Sequence, residues 1–147
     1  MKLVIGYLNY AERWWWPDVY LFTGNSTVRK DGGVVMGRGA ARQCRDIWPN
    51  LARNLGSQLE KDSEASLLWV DVNQYQRLGW FKVKNHWQES ADLDLIAKSA
   101  GELAKEAVWY AHSTFHMNFP GIGNGRLAMK DVMPLLETLP DNVWLYK

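Results

Sequence analysis

The segment Pro120-Gly121-Ile122-Gly123-Asn124-Gly125-Arg126-Leu127 links a predicted strand to a predicted helix. The strand, residues 112–119, contains aromatic and β-branched residues that favour extended backbone. Residues 132–139 place apolar side chains on one helical face, and Pro134 must start or kink that helix. The glycines between strand and helix allow the backbone to turn sharply and to approach a ligand closely. The segment therefore predicts a strand–loop–helix unit with a binding loop at its centre.

The rest of the chain continues this alternation of strands and helices. Strands are predicted at residues 2–8, 18–23, 66–72, 80–84, 112–119 and 142–146. Apolar residues at i, i+3, i+4 and i+7 predict a helix over residues 92–111, with Ser90 as its N-cap. Further helical segments follow Gly39 and Pro49, because proline ends one helix and can start the next. This alternation indicates an α/β fold with a largely parallel sheet, and a turn at residues 74–79 predicts one antiparallel pair.

Length and composition favour one soluble domain. The chain has 147 residues, 47% of them hydrophobic, so residues 1–147 are predicted to form a single domain around one core. Its apolar runs fall short of the roughly 18–20 residues of a membrane span, so no membrane partner is expected. The one cysteine, Cys44, has no partner for an internal disulfide. We expect it to be buried as an apolar residue in a reducing, cytoplasmic compartment.

Several classes of function are disfavoured. The formal net charge of +1 argues against binding duplex DNA mainly by neutralising phosphates, although a local basic patch remains possible. The chain contains neither a dinucleotide-binding nor a P-loop glycine motif. His112 and His116 lie on a predicted strand, where an i, i+4 pair does not converge on a metal ion. We expect no metal ion and no cofactor.

Tryptophan is unusually frequent, with nine in the chain, and three of them form the run Trp14-Trp15-Trp16 before Pro17. Tryptophan has a large apolar body and one hydrogen-bond donor, so it favours half-buried walls and interfaces. Three interpretations of the run stay open: packing in the core or a lid, a surface for a partner or ligand, and a membrane interface.

A second glycine-rich segment, Asp31-Gly32-Gly33-Val34-Val35-Met36-Gly37-Arg38-Gly39, opens another predicted helix. Glycine loops point successive backbone N–H groups at a ligand, and a helix N-terminus adds a positive dipole end. Both features suit phosphate. Two such loops in one small α/β domain suit a diphosphate that is held from both sides.

Four stretches together resemble the macro domains, and within them the branch of DarG and the terminal ADP-ribose glycohydrolases. Asn25 followed by Gly33-Val34-Val35-Met36-Gly37-Arg38-Gly39-Ala40 resembles the first ligand loop of that branch. Lys84-Asn85-His86-Trp87-Gln88-Glu89-Ser90 is similar to its T-K-x-H-W-R-x-x-S motif. Gly121-Ile122-Gly123-Asn124-Gly125-Arg126-Leu127 is similar to its G-C-G-N-G-G-L motif, and Val143-Trp144-Leu145-Tyr146 fits its closing strand.

The resemblance implies a three-layer α/β/α sandwich with a mixed, mostly parallel sheet. It also implies a cleft at the C-terminal ends of the strands that binds ADP-ribose. The diphosphate would be held by backbone N–H groups of the two glycine loops, and Asn25 would lie near the distal ribose. The implied ADP-ribose contacts are Asn25, Gly33, Met36, Gly37, Arg38, Gly39, Trp87, Gly121, Ile122, Gly123, Asn124 and Gly125.

An enzymatic activity is implied as well. Members of this branch remove ADP-ribose from thymidine in single-stranded DNA, and a lysine in the K-x-H-W motif is implicated at the ribose C1″ carbon. Lys84 and His86 are therefore the implied catalytic residues. The implied partners are ADP-ribose or an ADP-ribosylated substrate and, with it, single-stranded DNA. A reactive lysine needs its pKa, ordinarily about 10.4, lowered by burial or by a nearby cation. Lys82, two residues earlier on the strand, is a second candidate.

The sequence departs from the branch at three points. Gln88 replaces the arginine after H-W, and Gly125 stands where the related terminal glycohydrolases have a catalytic aspartate. The acidic residue that holds the adenine amine in macro domains has no clear counterpart in residues 5–12. Three alternatives therefore stay open: a non-catalytic ADP-ribose binder, a phosphatase for ADP-ribose 1″-phosphate, and a partner-binding module built on Trp14–Trp16.

Overall fold

A computed structural model describes the whole chain, from Met1 to Lys147. Its centre is one six-stranded sheet with the spatial order β1-β6-β5-β2-β4-β3. The strands are β1 (Lys2–Val4), β2 (Asp18–Asn25), β3 (Leu67–Asp71), β4 (Arg77–Lys84), β5 (Thr114–Asn118) and β6 (Val143–Tyr146). All neighbouring strands are parallel except β3 and β4, which form the expected antiparallel pair, although β4 begins at Arg77, inside the predicted turn at residues 74–79.

Helices cover both faces of the sheet. They are α1 (Gly39–Ile47), α2 (Leu51–Lys61), α3 (Leu93–Trp109) and the short α4 (Met129–Val132). Side chains alternate between the two faces along each strand. Leu21 and Phe81 therefore pack with α3 and the C-terminal segments, whereas Phe22 and Trp80 pack with α1 and α2. This arrangement is the three-layer α/β/α sandwich that the resemblance implies, with a mixed, mostly parallel sheet.

Proline positions set several boundaries as predicted. Helix α1 ends at Ile47 and α2 begins at Leu51, on either side of Pro49. Pro134 ends the α-helical geometry of α4, and residues 133–136 continue as a 3₁₀ turn. Cys44 is fully buried among apolar side chains, as expected.

Two local predictions are wrong. Ser90 does not cap α3, because the N-cap is Asp92, whose carboxylate accepts hydrogen bonds from the N–H groups of Asp94 (2.8 Å) and Leu95 (3.2 Å). A carboxylate also suits the positive end of the helix dipole. The first strand ends at Val4 and does not extend to residue 8, because Gly6 adopts a φ of 126° that breaks the extended backbone.

None of the helices is long and apolar enough to cross a membrane.

Candidate ligand cleft

A cleft of about 1180 Å³ lies at one edge of the sheet. Strands β2, β4, β5 and β6 are parallel, so their carboxyl ends meet at this edge. Each strand contributes its last residue to the cleft wall: Asn25, Lys84, Asn118 and Tyr146. Such edges are where open α/β sheets bind their ligands.

The first glycine loop follows β2 and is held in shape by Asn25. The side chain of this residue is buried: its Nδ2 donates to the carbonyl of Val35 (3.0 Å), and its Oδ1 accepts from the N–H of Thr27 (2.9 Å). These two bonds tie the start of the loop to its return segment. Gly37, Arg38 and Gly39 then reach the cleft wall.

The second glycine loop follows β5 and places residues 121–125 on the same wall. Gly121 and Gly123 have φ values of 82° and 66°, a left-handed geometry that L residues seldom adopt. A Cβ at Gly121 would also lie 2.7 Å from the side chain of Ile96, so α3 packs directly against this loop.

The two loops approach each other across the cleft. The Cβ position at Gly39 would lie only 3.2 Å from Nδ2 of Asn124. The N-terminus of α1 therefore lies beside the second loop. Such a pair of glycine loops brings backbone N–H groups from two directions towards one small volume.

Lys84 extends from the end of β4 into this cleft. Its ammonium donates to the carbonyls of Trp87 (3.0 Å) and Glu89 (3.1 Å). The pKa of Lys84 is lowered from its usual value, chiefly by desolvation and then by the positive charges of Arg126 and Arg38. The two carbonyl bonds orient the ammonium, and the cations favour its neutral form.

The segment after Lys84 is fastened to the start of the first loop through Thr27. The hydroxyl of Thr27 accepts from the N–H of Trp87 (3.0 Å) and donates to the carbonyl of Asn85 (3.3 Å). Trp87 lines the cleft with 43% of its surface exposed. His86 is exposed, and its ring is inclined by 28° to that of Trp87, with centroids 5.9 Å apart.

Three of the sequence-predicted site residues do not line the cleft: Gly33, Met36 and His86. Gly33 packs beside Ala52 of α2, and Met36 is 1% exposed in the core beneath the loop. His86 lies on the adjoining surface. Their roles as ligand contacts or catalytic groups stay predictions, as do those of the residues that do line the cleft.

Lys82, the second candidate lysine, is not part of the cleft. It is 3% exposed, and its carbonyl accepts from the hydroxyl of Ser99 (2.7 Å). The register between β2 and β4 shifts at this point, since Lys82 and Lys84 pair with successive residues of β2. Of the two lysines, only Lys84 lines the cleft with the glycine loops.

Sequence reasoning missed a polar group in the lining of the cleft, formed by Asn118, Thr23 and Tyr10. Oδ1 of Asn118 accepts from the N–H of Thr23 (3.1 Å) and from the hydroxyl of Tyr10 (3.2 Å). Tyr10 is fully buried, and burial raises the pKa of its phenol well above the usual value. These residues lie far apart in the chain and share no motif, so only the sheet topology brings them together.

The cleft wall is strongly basic. Five cationic side chains line it: Arg29, Arg38, Lys84, Arg126 and Lys147. The sequence motifs contain Arg38, Lys84 and Arg126, but neither Arg29 nor Lys147. The lining contains no Asp or Glu side chain. Because the net charge of the whole chain is nearly neutral, the protein attracts anions mainly at this cleft.

The tryptophan run lies at the opposite edge of the sheet, before the start of β2. Trp14 is buried, stacks on Tyr20 with ring centroids 4.1 Å apart, and belongs to the core. Trp15 and Trp16 are about half exposed, at 49% and 51%. The prediction of core packing is therefore confirmed for Trp14. Trp15 and Trp16 form an exposed surface remote from the cleft.

No protein-family model and no curated protein matches the chain, but solved structures do. The macrodomain of Thermus aquaticus DarG matches with a TM-score of 0.76 and 22% identity over 99% of this chain and 97% of that one. The macrodomain of Mycobacterium tuberculosis DarG matches with a TM-score of 0.74 and 21% identity over 98% and 96%. Thermosipho africanus DarTG, solved in complex with ADP-ribose, matches with a TM-score of 0.69 and 17% identity over 86% of this chain and 37% of that one.

The fold is therefore that of a macrodomain. The chain is similar to the two DarG macrodomains over nearly its whole length.

Proposed function

We propose that this protein binds ADP-ribose and hydrolyses its bond to a modified nucleobase, with Lys84 as the catalytic group at C1″. One observation carries the proposal: the Lys84 side chain extends into a basic cleft walled by two glycine loops, in a fold shared with DarG macrodomains. The solved complex of DarTG with ADP-ribose supports this choice of ligand.

The diphosphate of ADP-ribose suits the region between the two loops. Backbone N–H groups of residues 37–39 and 121–124 and the N-terminus of α1 would face its oxygens. Arg38 and Arg126 add positive charge beside the loops, which strengthens binding of a dianion in a confined cleft. The distal ribose would then lie at the Asn25 and Lys84 side of the cleft.

The environment of Lys84 suits nucleophilic catalysis. Burial and two nearby arginines raise the fraction of neutral amine. The amine would form a bond to C1″ while the bond from C1″ to the base nitrogen breaks. The base leaves with that electron pair and takes up the proton that the lysine nitrogen loses. Water then displaces the lysine from C1″, which yields free ADP-ribose and restores the amine.

The proposed substrate is thymidine ADP-ribosylated in single-stranded DNA. Five cationic side chains line the cleft, which is more positive charge than one diphosphate neutralises. The remaining cations would bind neighbouring phosphates of the DNA strand. The half-exposed ring of Trp87 offers a flat surface on which an unstacked base can rest.

A second candidate is a non-catalytic ADP-ribose binder. The observation that favours it is the pair of carbonyls, of Trp87 and Glu89, that accept from the Lys84 ammonium. Bonds to the charged form oppose deprotonation of the lysine. The hydrolase and the non-catalytic binder would both bind ADP-ribose, but only the hydrolase would release it from a substrate.

Two measurements test the proposal. In a thermal melt, ADP-ribose at 100 times its Kd should add about 2.7 kcal/mol of stability, equivalent to a rise in Tm of roughly 5–10 °C. The protein should also release ADP-ribose from a single-stranded oligonucleotide that carries ADP-ribosylated thymidine. Binding without release identifies the non-catalytic binder, and release of inorganic phosphate from ADP-ribose 1″-phosphate identifies a phosphatase. Absence of any shift at millimolar ADP-ribose overturns the proposal.

A further inference from the structure

Arg126, the residue after the second glycine loop, has a backbone conformation that normally favours glycine. It is the one residue other than glycine with a positive φ, 65°, and its ψ is 10°. Such a left-handed geometry is unfavourable for L residues, because the Cβ comes close to the following carbonyl oxygen. Two hydrogen bonds fix it: the N–H of Arg126 donates to the carbonyl of Gly123 (3.0 Å), and the N–H of Leu127 donates to that of Gly121 (2.9 Å). The fold therefore imposes a glycine-type backbone on an arginine.

The side chain of Arg126 is free to contact a ligand. It is exposed and lines the cleft. Its guanidinium makes no hydrogen bond or ion pair within the protein, unlike that of Arg45, which pairs with Asp46 at 3.1 Å. Residues in unfavourable backbone conformations cluster at functional sites, where their side chains are used. Because glycine would fit this backbone better, what arginine adds at this position is its charged side chain.

Arg126 begins on the Lys84 side of the cleft. The carbonyl of the preceding Gly125 accepts from the N–H of Ala91 (2.9 Å), and a Cβ at Gly125 would lie 3.0 Å from Cβ of Ala91. The second loop is thus joined here to the segment after β4, whose carbonyls hold the Lys84 ammonium. Of the two arginines that lower the pKa of Lys84, Arg126 has the larger effect and Arg38 the smaller. The charge of Arg126 therefore acts beside the proposed catalytic group.

We propose that Arg126 binds a phosphate of the substrate strand beside the modified base, and that it makes the protein prefer an ADP-ribosylated oligonucleotide to the ADP-ribosylated nucleoside. This inference rests on the proposed function, which places the diphosphate between the glycine loops and C1″ at Lys84. The nearest remaining phosphates are then those that flank the modified thymidine in the strand. A guanidinium binds phosphate through two parallel N–H donors and keeps its charge at any working pH.

The test compares the binding of two probes: thymidine that is ADP-ribosylated on its base, and the same adduct within a short single-stranded oligonucleotide. Both are titrated into the Lys84→Ala protein, which should bind them without releasing ADP-ribose. This protein should bind the oligonucleotide at least about tenfold more tightly. Adding Arg126→Gly should weaken oligonucleotide binding roughly tenfold, but binding of the nucleoside and of free ADP-ribose by less than about threefold.

Salt dependence provides a second readout. For the oligonucleotide, the slope of log Kd against log salt should fall by about 0.7 in Arg126→Gly, the value for one phosphate contact on a single strand. Arg126→Lys keeps the positive charge and should keep the slope. Arg53→Gln is the matched control: Arg53 is an exposed arginine of α2 outside the cleft lining, so this variant should bind both probes as tightly as its parent.

The stability of Arg126→Gly separates a binding role from a structural one. In the otherwise wild-type protein, glycine relieves the left-handed backbone and should raise Tm by roughly 2–5 °C. A lower Tm would overturn the inference, because Arg126 would then serve the fold.

Two binding outcomes also overturn the inference. Equal weakening of the oligonucleotide and of free ADP-ribose would mean that Arg126 binds the diphosphate, and an unchanged preference for the oligonucleotide would mean that it binds no strand phosphate. In either case the proposed function stands, provided that ADP-ribose stabilises the wild-type protein in the thermal melt. If ADP-ribose does not, the proposed function fails and this inference fails with it.

Discussion

The side-chain amide of Asn118 makes two hydrogen bonds to Thr23. Its Oδ1 accepts from the backbone N–H at 3.1 Å, and its Nδ2 donates to the hydroxyl at 2.8 Å. Backbone pairing between β2 and β5 ends at Leu21, two residues before Thr23, and at Met117, one residue before Asn118. The amide thus continues the connection between the strands where their backbones separate, and both residues line the cleft at that point.

Replacing Asn118 with alanine should therefore destabilise the protein. The variant leaves the N–H of Thr23 without its acceptor in a partly buried place, which costs about 1–3 kcal/mol. Urea denaturation would measure the loss. Asn124→Ala is the control: it truncates an asparagine of the same cleft that makes no side-chain hydrogen bond within the protein, and its effect should stay within about 0.5 kcal/mol. Equal stability of the two variants would contradict the role of the Asn118 amide.

Lys84→Ala should abolish release of ADP-ribose from the modified oligonucleotide. Loss of the nucleophile is expected to lower turnover on the order of 10³-fold or more. Lys84→Arg retains the positive charge but not a nucleophilic amine, so it should bind ADP-ribose normally and be equally inactive. Single-turnover release and calorimetric binding separate the two properties.

Lys105→Ala serves as the matched control for Lys84, because Lys105 is a well-exposed lysine of α3 remote from the cleft. It should be as active as wild type. Full turnover by Lys84→Ala would refute the lysine mechanism while leaving ADP-ribose binding to be judged separately.

The pH dependence of turnover should follow the deprotonation of Lys84. The pKa of Lys84 lies below the usual value for a lysine, so turnover should rise with pH and level off below that value. Arg126→Gln removes a cation that disfavours the ammonium; the pKa then rises and the profile moves to higher pH. Glu89→Gln removes an anion that favours the ammonium, so the profile moves to lower pH. Shifts of the same sign in both variants would show that another group controls the rate.

Much of the fold could be predicted because its signals are local. Glycine spacing, proline positions and the 3.6-residue apolar period depend on neighbours in the chain, and they placed both glycine loops and the helix α3. The cap of that helix was missed by two residues, because Ser90 and Asp92 are both good caps and only the backbone path selects between them.

The polar group of Tyr10, Thr23 and Asn118 could not be predicted from local signals. Tyr10 and Asn118 are separated by 108 residues; their contact forms because the Tyr10 hydroxyl is bonded to Leu21 of β2, and β2 is the neighbour of β5 in the sheet. Arg29 and Gln43 are ordinary polar residues by sequence, and the course of the first loop and of α1 alone brings them to the cleft wall. The motif made Lys84 the first candidate and Lys82 the second, and the structure places only Lys84 on the cleft wall.

Two helical glycines should respond to alanine in opposite directions. A Cβ at Gly56 of α2 would lie 1.8 Å from the carbonyl oxygen of Gly32, so α2 packs directly against the base of the first glycine loop. Gly56→Ala must push helix and loop apart and should destabilise the protein by about 1–3 kcal/mol. Gly101 of α3 has no atom within 4 Å of its Cβ position, and Gly101→Ala should stabilise by about 0.5–1 kcal/mol through helix propensity alone. Thermal melts of the two variants should therefore shift Tm in opposite senses, and a Gly56→Ala protein as stable as wild type would show that the first glycine loop is not fixed by α2.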